Sequence, residues 1–218
     1  MEQSAYYDKK LNKYSLGGGR LEHIEDFMPD KLADILDMGC GSGSLAKVLG
    51  EQGHTVYGAD ISPEALKLAK EHIEKGFCFD FENGAWPDDL MAMKFDAIIA
   101  TEVIEHLFDP ESFIKKLKQL LKPNGMIIVT TPNLLFWKNR FKIFFGKFEY
   151  EEKGIMDFGH IRFFTVKTAR KMFEKCDLAI EAEHHFYPNL YKRGLTFLGK
   201  IFPGFFAYKL IFKLSAKA

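Results

Sequence analysis

Two hydrophobic periods alternate along this chain. Apolar positions spaced three and four apart predict helices at Leu45, Val48 and Leu49, at Ala65, Leu66 and Ala69, and at Phe113, Ile114, Leu117, Leu120 and Leu121. Short apolar stretches of strand character lie at 35–38 and 55–60. Residues 165–176 read as another helix with Thr165 at its N-cap, followed by a strand at 178–183. At 205–214, Phe206, Tyr208, Leu210, Phe212 and Leu214 alternate with Ala207, Lys209, Ile211 and Lys213, a period of two that predicts a final strand. Alternating strands and helices predict an α/β chain with a parallel sheet covered on both faces. No repeat or low-complexity segment interrupts the pattern.

The first strand runs into Gly39, Cys40, Gly41, Ser42 and Gly43 and leaves as a helix. Glycine lets the backbone turn with positive φ and approach a ligand where a Cβ would collide, and the following helix offers unpaired N–H groups. A dinucleotide fingerprint would need its third glycine at position 44, where Ser44 stands. The second strand ends in Asp60, about twenty residues past the first glycine, where a mononucleotide fold places its ribose-binding carboxylate. Asp60 also reads as a helix N-cap ahead of Ser62, Pro63 and Glu64, although Ser62 with Pro63 caps that helix unaided.

Composition changes this picture little. A chain of 218 residues, 47% hydrophobic, can bury about 70% of its unfolded surface in one core, so one domain over 1–218 is expected. A formal net charge of +0 argues against a general nucleic-acid binder. Cys40, Cys78 and Cys176 are odd in number and lack metal-ligand spacing, as in a reduced cytoplasmic protein. Cys40 reads as a small filler of the loop. The first residues carry no secretory pattern, and no stretch reaches the apolar length of a membrane span.

The glycine loop and Asp60 resemble those of the Rossmann-like, class I S-adenosylmethionine-dependent methyltransferases. The likeness extends along most of the chain. Cys78, Phe79, Asp80 and Phe81 resemble the family's adenine-contacting segment, 95–100 its fourth strand, and 121–125 its turn into a fifth strand at 126–131. It implies a seven-stranded, mostly parallel sheet with an antiparallel last strand, matching 205–214, and helices on both faces. It implies S-adenosyl-L-methionine as cofactor, held by the backbone of Gly39, Cys40, Gly41 and Gly43. Asp37 would stand near the ammonium group, Asp60 and Ile61 at the ribose, Asp80 and Phe81 at the adenine, and Thr101 and Glu102 beside the methyl group. Asp80 reads equally well as a solvated turn residue.

Ligands in this fold sit at the carboxyl ends of the strands, so Thr101, Glu102, Val103, Ile104, Glu105, His106 and Leu107 face the reaction. His106 suits the part of general base toward a hydroxyl. Glu102 and Glu105 are three apart, and Glu102 and His106 four, so one helical turn would place all three on one face. The spacing is similar to the E-x-x-E-H metal motif of small-RNA 2′-O-methyltransferases and ubiquinone-pathway O-methyltransferases, which implies Mg²⁺ on Glu102, Glu105, His106 and His160. Metal-free relatives carry similar segments, in which histidine acts as a base or only packs. His160 is the further catalytic candidate.

Two segments, 132–164 and 186–204, read as substrate-side insertions. Residues 136–148 interleave Lys138, Arg140, Lys142 and Lys147 with aromatics and contain no acid; Lys192, Arg193 and Lys200 repeat that style. One reading is a lid helix with its aromatics over the sheet. Another is an interfacial surface that touches a membrane peripherally, at its inner face, and admits a lipid-linked or other small-molecule substrate. A third is stacking of RNA bases. Residues 1–30 read as a helical gate hinged at Gly17, Gly18 and Gly19, with Tyr7 or Tyr14 reaching the cofactor. Pro132, Asn133, the insertion and the His160 segment also resemble the methionine-biosynthesis protein W family, which implies a competing function: an accessory protein that activates a partner enzyme.

Overall fold

The computed structural model describes residues 24–187 and 196–217. Of the expected gate only 24–30 lies within that range; Tyr7, Tyr14 and the three hinge glycines fall outside the described residues, as do Lys192 and Arg193.

Seven strands form one sheet in the order β3-β2-β1-β4-β5-β7-β6. They are β1 (Asp34–Met38), β2 (Thr55–Asp60), β3 (Gly76–Cys78), β4 (Phe95–Thr101), β5 (Leu121–Pro132), β6 (Leu178–Phe186) and β7 (Lys209–Ala216). β1 pairs in parallel with both β2 and β4, and β7 runs antiparallel between β5 and β6. The expected mostly parallel sheet with an antiparallel last strand is what forms. The chain begins the sheet at β1, builds outward to β3, then crosses back to β4 on the other side of β1. That reversal leaves a crevice at the carboxyl ends of β1 and β4, where open α/β sheets bind ligands.

Both sheet faces are covered, which explains why the central strands read as nearly continuous apolar runs. Leu36, Met38, Ile98, Ala100 and Phe212 enter one core layer with Phe113, Ile114 and Leu117 of α4 (Pro110–Gln119) and Ala169, Met172 and Phe173 of α6 (Val166–Lys175). Ile35, Val56, Ala97, Ile99 and Ile211 enter the other, with Leu45, Ala46 and Leu49 of α1 (Ser44–Glu51) and with Ile24 and Phe27. The remaining helices are α2 (Pro63–Ala69), α3 (Asp88–Met91), α5 (Trp137–Phe144), α7 (Thr196–Ile201) and α8 (Pro203–Phe206). Thr165 caps α6 as expected: its hydroxyl accepts from Thr168 N–H, and Thr168 Oγ1 accepts from Thr165 N–H.

Several boundaries differ from the sequence reading. Residues 205–214 are not one strand: Pro203, suited to a first helical turn, opens α8, and pairing begins only at Lys209, opposite Pro132. Leu120 ends α4 and Leu121 pairs with Phe95, so the apolar periodicity of α4 ran one element too far. β5 therefore starts at Leu121 rather than Met126, with a bulge between the two pairings and Asn124 at φ 63. β6 continues to Phe186, three residues beyond the apolar run, because β7 pairs along its whole length.

Phe173 is fully buried with its ring 5.1 Å from that of Phe212. Phe173→Ala is expected to lower stability by about 3–5 kcal/mol, read as a fall in the urea midpoint at unchanged slope.

Candidate functional site

The glycine loop is pinned to β2. Gly39 and Cys40 donate their N–H groups to Ala59 O at 2.7 and 3.1 Å, and Gly41 N–H reaches Asp60 Oδ2 at 2.9 Å. All three glycines have positive φ, 75°, 52° and 78°. Their surroundings differ. A Cβ on Gly39 would lie 2.8 Å from Val103 Cγ2, and one on Gly43 2.9 Å from Ala69 Cβ, so these two let the loop pack against its neighbours. A Cβ on Gly41 would meet nothing within 4 Å. Gly41 therefore faces open space at the carboxyl end of β1, where a ligand can approach the backbone. α1 starts beside it with no side-chain cap, leaving its first amides available to an anionic group.

Asp60 does not cap α2. Ser62 does, its Oγ accepting Ala65 N–H at 2.9 Å, while Asp60 Oδ1 accepts Ser62 N–H at 2.9 Å. Asp60 thus braces the loop and the following turn at once, and its carboxylate retains lone pairs beyond these two N–H groups. Ile61 follows it, half-buried. Asp37, the last acid of β1, is 2% exposed. Burial, reinforced by the negative charge of Asp60, raises its pKa to about 7. Burial beside the same two acids pushes the Cys40 thiol well up.

The two residues expected at the adenine also take part in local structure. Asp80 Oδ1 accepts the N–H groups of Glu82 and Asn83 at 2.8 and 3.1 Å, and Oδ2 accepts from Asn83 Nδ2 at 3.1 Å. Burial pushes its carboxyl up, but these bonds prevail and hold it below its ordinary value. The turn reading of Asp80 is thereby realised. Phe81 is core: its ring stacks on Phe113 at 5.6 Å, and its carbonyl accepts from Trp86 Nε1 at 3.2 Å.

Past β4 the chain does not form the helical turn expected to carry Glu102, Glu105 and His106 on one face. Glu102 sits in the left-handed region at φ 57, and only Ile104–His106 form a single 3₁₀ turn. Glu102 N–H bonds to Thr130 O, its Oε1 accepts the Thr130 hydroxyl at 3.0 Å, and its Oε2 pairs with Lys209 Nζ at 2.5 Å. The Thr101 hydroxyl, at the end of β4, is buried and has no hydrogen-bond partner among the described residues.

Glu105 takes the other direction. It is 1% exposed, and among the described residues its carboxylate oxygens find no well-formed hydrogen bond, the Thr131 hydroxyl lying near enough only to lower its pKa somewhat. Burial, then the charge of Glu102, holds its pKa well above the ordinary range, although Lys209 acts in the opposite sense. The carbonyl of Glu105 accepts the N–H groups of Ile161 and Arg162, each at 3.0 Å, and the Arg162 guanidinium binds Phe108 O. This main-chain clamp carries the distant 155–162 segment onto the turn. His106 Nδ1–H donates to Gly159 O at 2.8 Å, His160 Nδ1–H to Ile155 O at 2.9 Å, and the two rings meet edge-on at 4.8 Å. Burial, then His160, lowers the pKa of His106 to about 4. Donor atoms of Glu105, His106 and His160 lie within 4.8 Å of one another; Glu102 is outside this cluster because Lys209 holds it. Three of the four expected metal ligands are thus brought together and the fourth is not.

Lys209 was invisible to sequence reading. Its only signal is a cation within an alternating apolar segment, and its meeting with Glu102 depends on the antiparallel insertion of β7. The insertion aromatics also differ from the lid expectation: Phe136 is buried, but Phe141, Phe144, Phe145 and Phe148 are exposed rather than packed over the sheet.

Comparison with known proteins agrees with this geometry. A family described as a methyltransferase domain matches residues 10–183. The ubiquinone biosynthesis O-methyltransferase of Xylella fastidiosa is 38% identical over 124 residues, covering 55% of this chain and 50% of that protein. The protein of the same name from Histophilus somni is 37% identical over 132 residues, covering 56% and 55%. The chain spans about half the length of these curated relatives. Among solved structures, the magnesium protoporphyrin IX methyltransferase of Synechocystis PCC 6803 with bound SAH is similar at a TM-score of 0.66 and 17% identity, over 98% of this chain and 95% of that one. An S-adenosylmethionine-dependent methyltransferase of Mesorhizobium loti gives 0.64 and 17%, over 91% and 98%. At such identities the likeness is one of fold.

The two glycines with opposite surroundings make separable variants. Gly43→Ala is expected to destabilise the fold by more than the about 1–2 kcal/mol of left-handed strain alone, since its methyl strikes Ala69. Gly41→Ala should lose only that strain energy; equal falls in thermal midpoint would contradict the assignment of open space to Gly41.

Proposed function

The chain belongs to the methyltransferase-domain family, among its class I S-adenosylmethionine-dependent members, and on that premise we propose that it transfers a methyl group from S-adenosylmethionine to an oxygen of a small or lipid-linked acceptor. The observation that carries the reading is Asp37, a carboxyl only 2% exposed whose pKa burial and Asp60 raise to about 7, at the topological switch point beside the open face of Gly41. A cationic ligand with an amino-acid portion answers both features. The ubiquinone-pathway relatives support oxygen as the acceptor atom.

S-adenosylmethionine, when bound, supplies a methyl group on a cationic sulfonium. Asp37 would ionise against the ammonium group, and the backbone of Gly39–Gly43 would approach the methionine portion. Asp60, already braced by Gly41 and Ser62, would accept from the ribose hydroxyls. Asp80 and Phe81 would border the adenine, Asp80 through lone pairs left by its turn. Glu102, immobilised by Lys209 and Thr130, would line the transfer point together with Thr101. His106, held by Gly159 with Nδ1 protonated and neutral at physiological pH, would take the proton of the acceptor hydroxyl on Nε2.

A second reading is favoured by the cluster of Glu105, His106 and His160. Both imidazoles donate Nδ1–H to backbone carbonyls, the second-shell arrangement that fixes a ligating histidine with Nε2 toward a metal. Two nitrogen donors and one carboxylate suit a first-row transition ion better than Mg²⁺, which prefers oxygen. Such an ion would act as a Lewis acid on the acceptor oxygen.

Two outcomes test these readings. Because only ionised Asp37 attracts an ammonium group, S-adenosylhomocysteine should bind roughly tenfold more tightly at pH 8 than at pH 6, with proton release detectable by calorimetry in buffers of different ionisation enthalpy. Asp37→Asn should weaken binding and flatten that pH dependence; an unchanged profile would remove Asp37 from the site. His106→Ala should lower turnover by about 10²-fold or more. In the same assay, loss of activity on chelation, restored by Mn²⁺ or Zn²⁺, would support the metal reading, and indifference to chelator and metal would remove it.

A further inference from the structure

The exposed apolar side chains of this protein are not scattered. Among the described residues fourteen large hydrophobics are exposed, and all but Leu32, Leu68 and Phe108 lie between Phe141 and Phe202. Residues 140–153 are exposed without interruption, with Phe144 at 80% and Phe145 at 70%. Single exposed apolar residues are ordinary on a protein surface; a contiguous set marks an interaction site.

The set is continuous in space. Trp137 meets Phe141 at 6.2 Å on α5, and Phe148, Tyr150, Phe158 and Phe163 form one chain of ring contacts. Arg140 fastens α5 to α8: its guanidinium lies 5.4 Å from the Phe205 ring and donates to Gly204 O. That joins α5 to the neighbourhood of Phe197, Ile201 and Phe202. The patch follows β5, at the carboxyl end of the parallel strands, and its own His160 reaches back to His106.

Charge identifies the partner. Residues 136–148 hold Lys138, Arg140, Lys142 and Lys147 and no acid; Glu149, Glu151 and Glu152 follow at the edge of the patch, Glu151 paired with Lys142, and residues 184–218 hold no acid at all. A formal net charge of +0 therefore hides a segregated distribution, with Lys138 5.6 Å from the Trp137 ring and Arg140 on the Phe205 ring. Exposed phenylalanines rimmed by lysines match the interface of an anionic bilayer, where rings enter the acyl boundary and ammonium groups meet lipid phosphates. No helix among the described residues is long and apolar enough to cross a membrane, so contact would be along the surface.

We infer that α5 and the 145–150 segment, with α7 beside them, dock this protein on an anionic lipid surface with the mouth of its site toward the bilayer. The inference stands on exposure and charge and is independent of the acceptor proposed above.

Co-sedimentation of the full chain with vesicles of phosphatidylcholine alone, and of phosphatidylcholine with phosphatidylglycerol, tests it. Binding should appear only with the anionic vesicles and weaken with added salt. The pairs Phe144→Ser with Phe145→Ser, and Lys138→Glu with Lys147→Glu, should each lower the partition coefficient at least about tenfold. Thermal midpoints and S-adenosylhomocysteine affinity should stay as in the parent. Three results would each overturn the inference: no preference for anionic vesicles in the parent chain, undiminished sedimentation of both variants, or a concentration-dependent dimer of the parent that Phe144→Ser with Phe145→Ser disperses.

Discussion

The pairing of β1 with β4 is the constraint on which the rest of this molecule depends. Hydrogen-bonded on both sides and covered on both faces, β1 has no freedom except at its carboxyl end. There the chain must turn sharply away from β4, and Gly39, Cys40 and Gly41 make the turn by leaning on Ala59 and Asp60 of β2. The same end carries Asp37, which the strand alternation places inside the protein. A carboxyl in that position is costly to ionise unless a cation arrives. The fold thus creates both the open backbone and the buried acid, and the proposed cofactor matches the two together.

A second constraint acts from far along the chain. The Glu105 carbonyl takes the Ile161 and Arg162 N–H groups, and His106 takes the Gly159 carbonyl, so the insertion closes on the end of β4 through main-chain bonds. That clamp sets two imidazoles edge to face beside the buried Glu105 carboxyl. It also leaves the outward side of the insertion with its aromatics uncovered. One segment therefore builds the reacting end of the site inward and a lysine-rimmed apolar surface outward.

How much of this was legible in the sequence follows from the range of each signal. The loop, β2 and Asp60 were legible because glycine spacing, an apolar run and its terminal acid are local. The capping of α6 by Thr165 was legible for the same reason. The cluster of Glu105, His106 and His160 was reached only through family resemblance, since nothing near His160 marks what it will face. Glu102 was misassigned to the metal set because its partner, Lys209, arrives by an antiparallel insertion 107 residues later. The aromatics of 136–148 gave no direction because Trp137, Phe141, Phe144, Phe145 and Phe148 stand at helical spacing, which marks one face without saying whether the core or a partner covers it. In 205–214, an alternation of two hid the short helix that Pro203 begins.

The crystal structure of the chain grown with S-adenosylhomocysteine tests the central claim most directly. The account predicts the ligand along Gly39–Gly43, with its ammonium nitrogen within hydrogen-bond distance of Asp37 and its ribose hydroxyls at Asp60. A ligand seated elsewhere, or Asp37 facing no cationic atom in a fully occupied site, would contradict it.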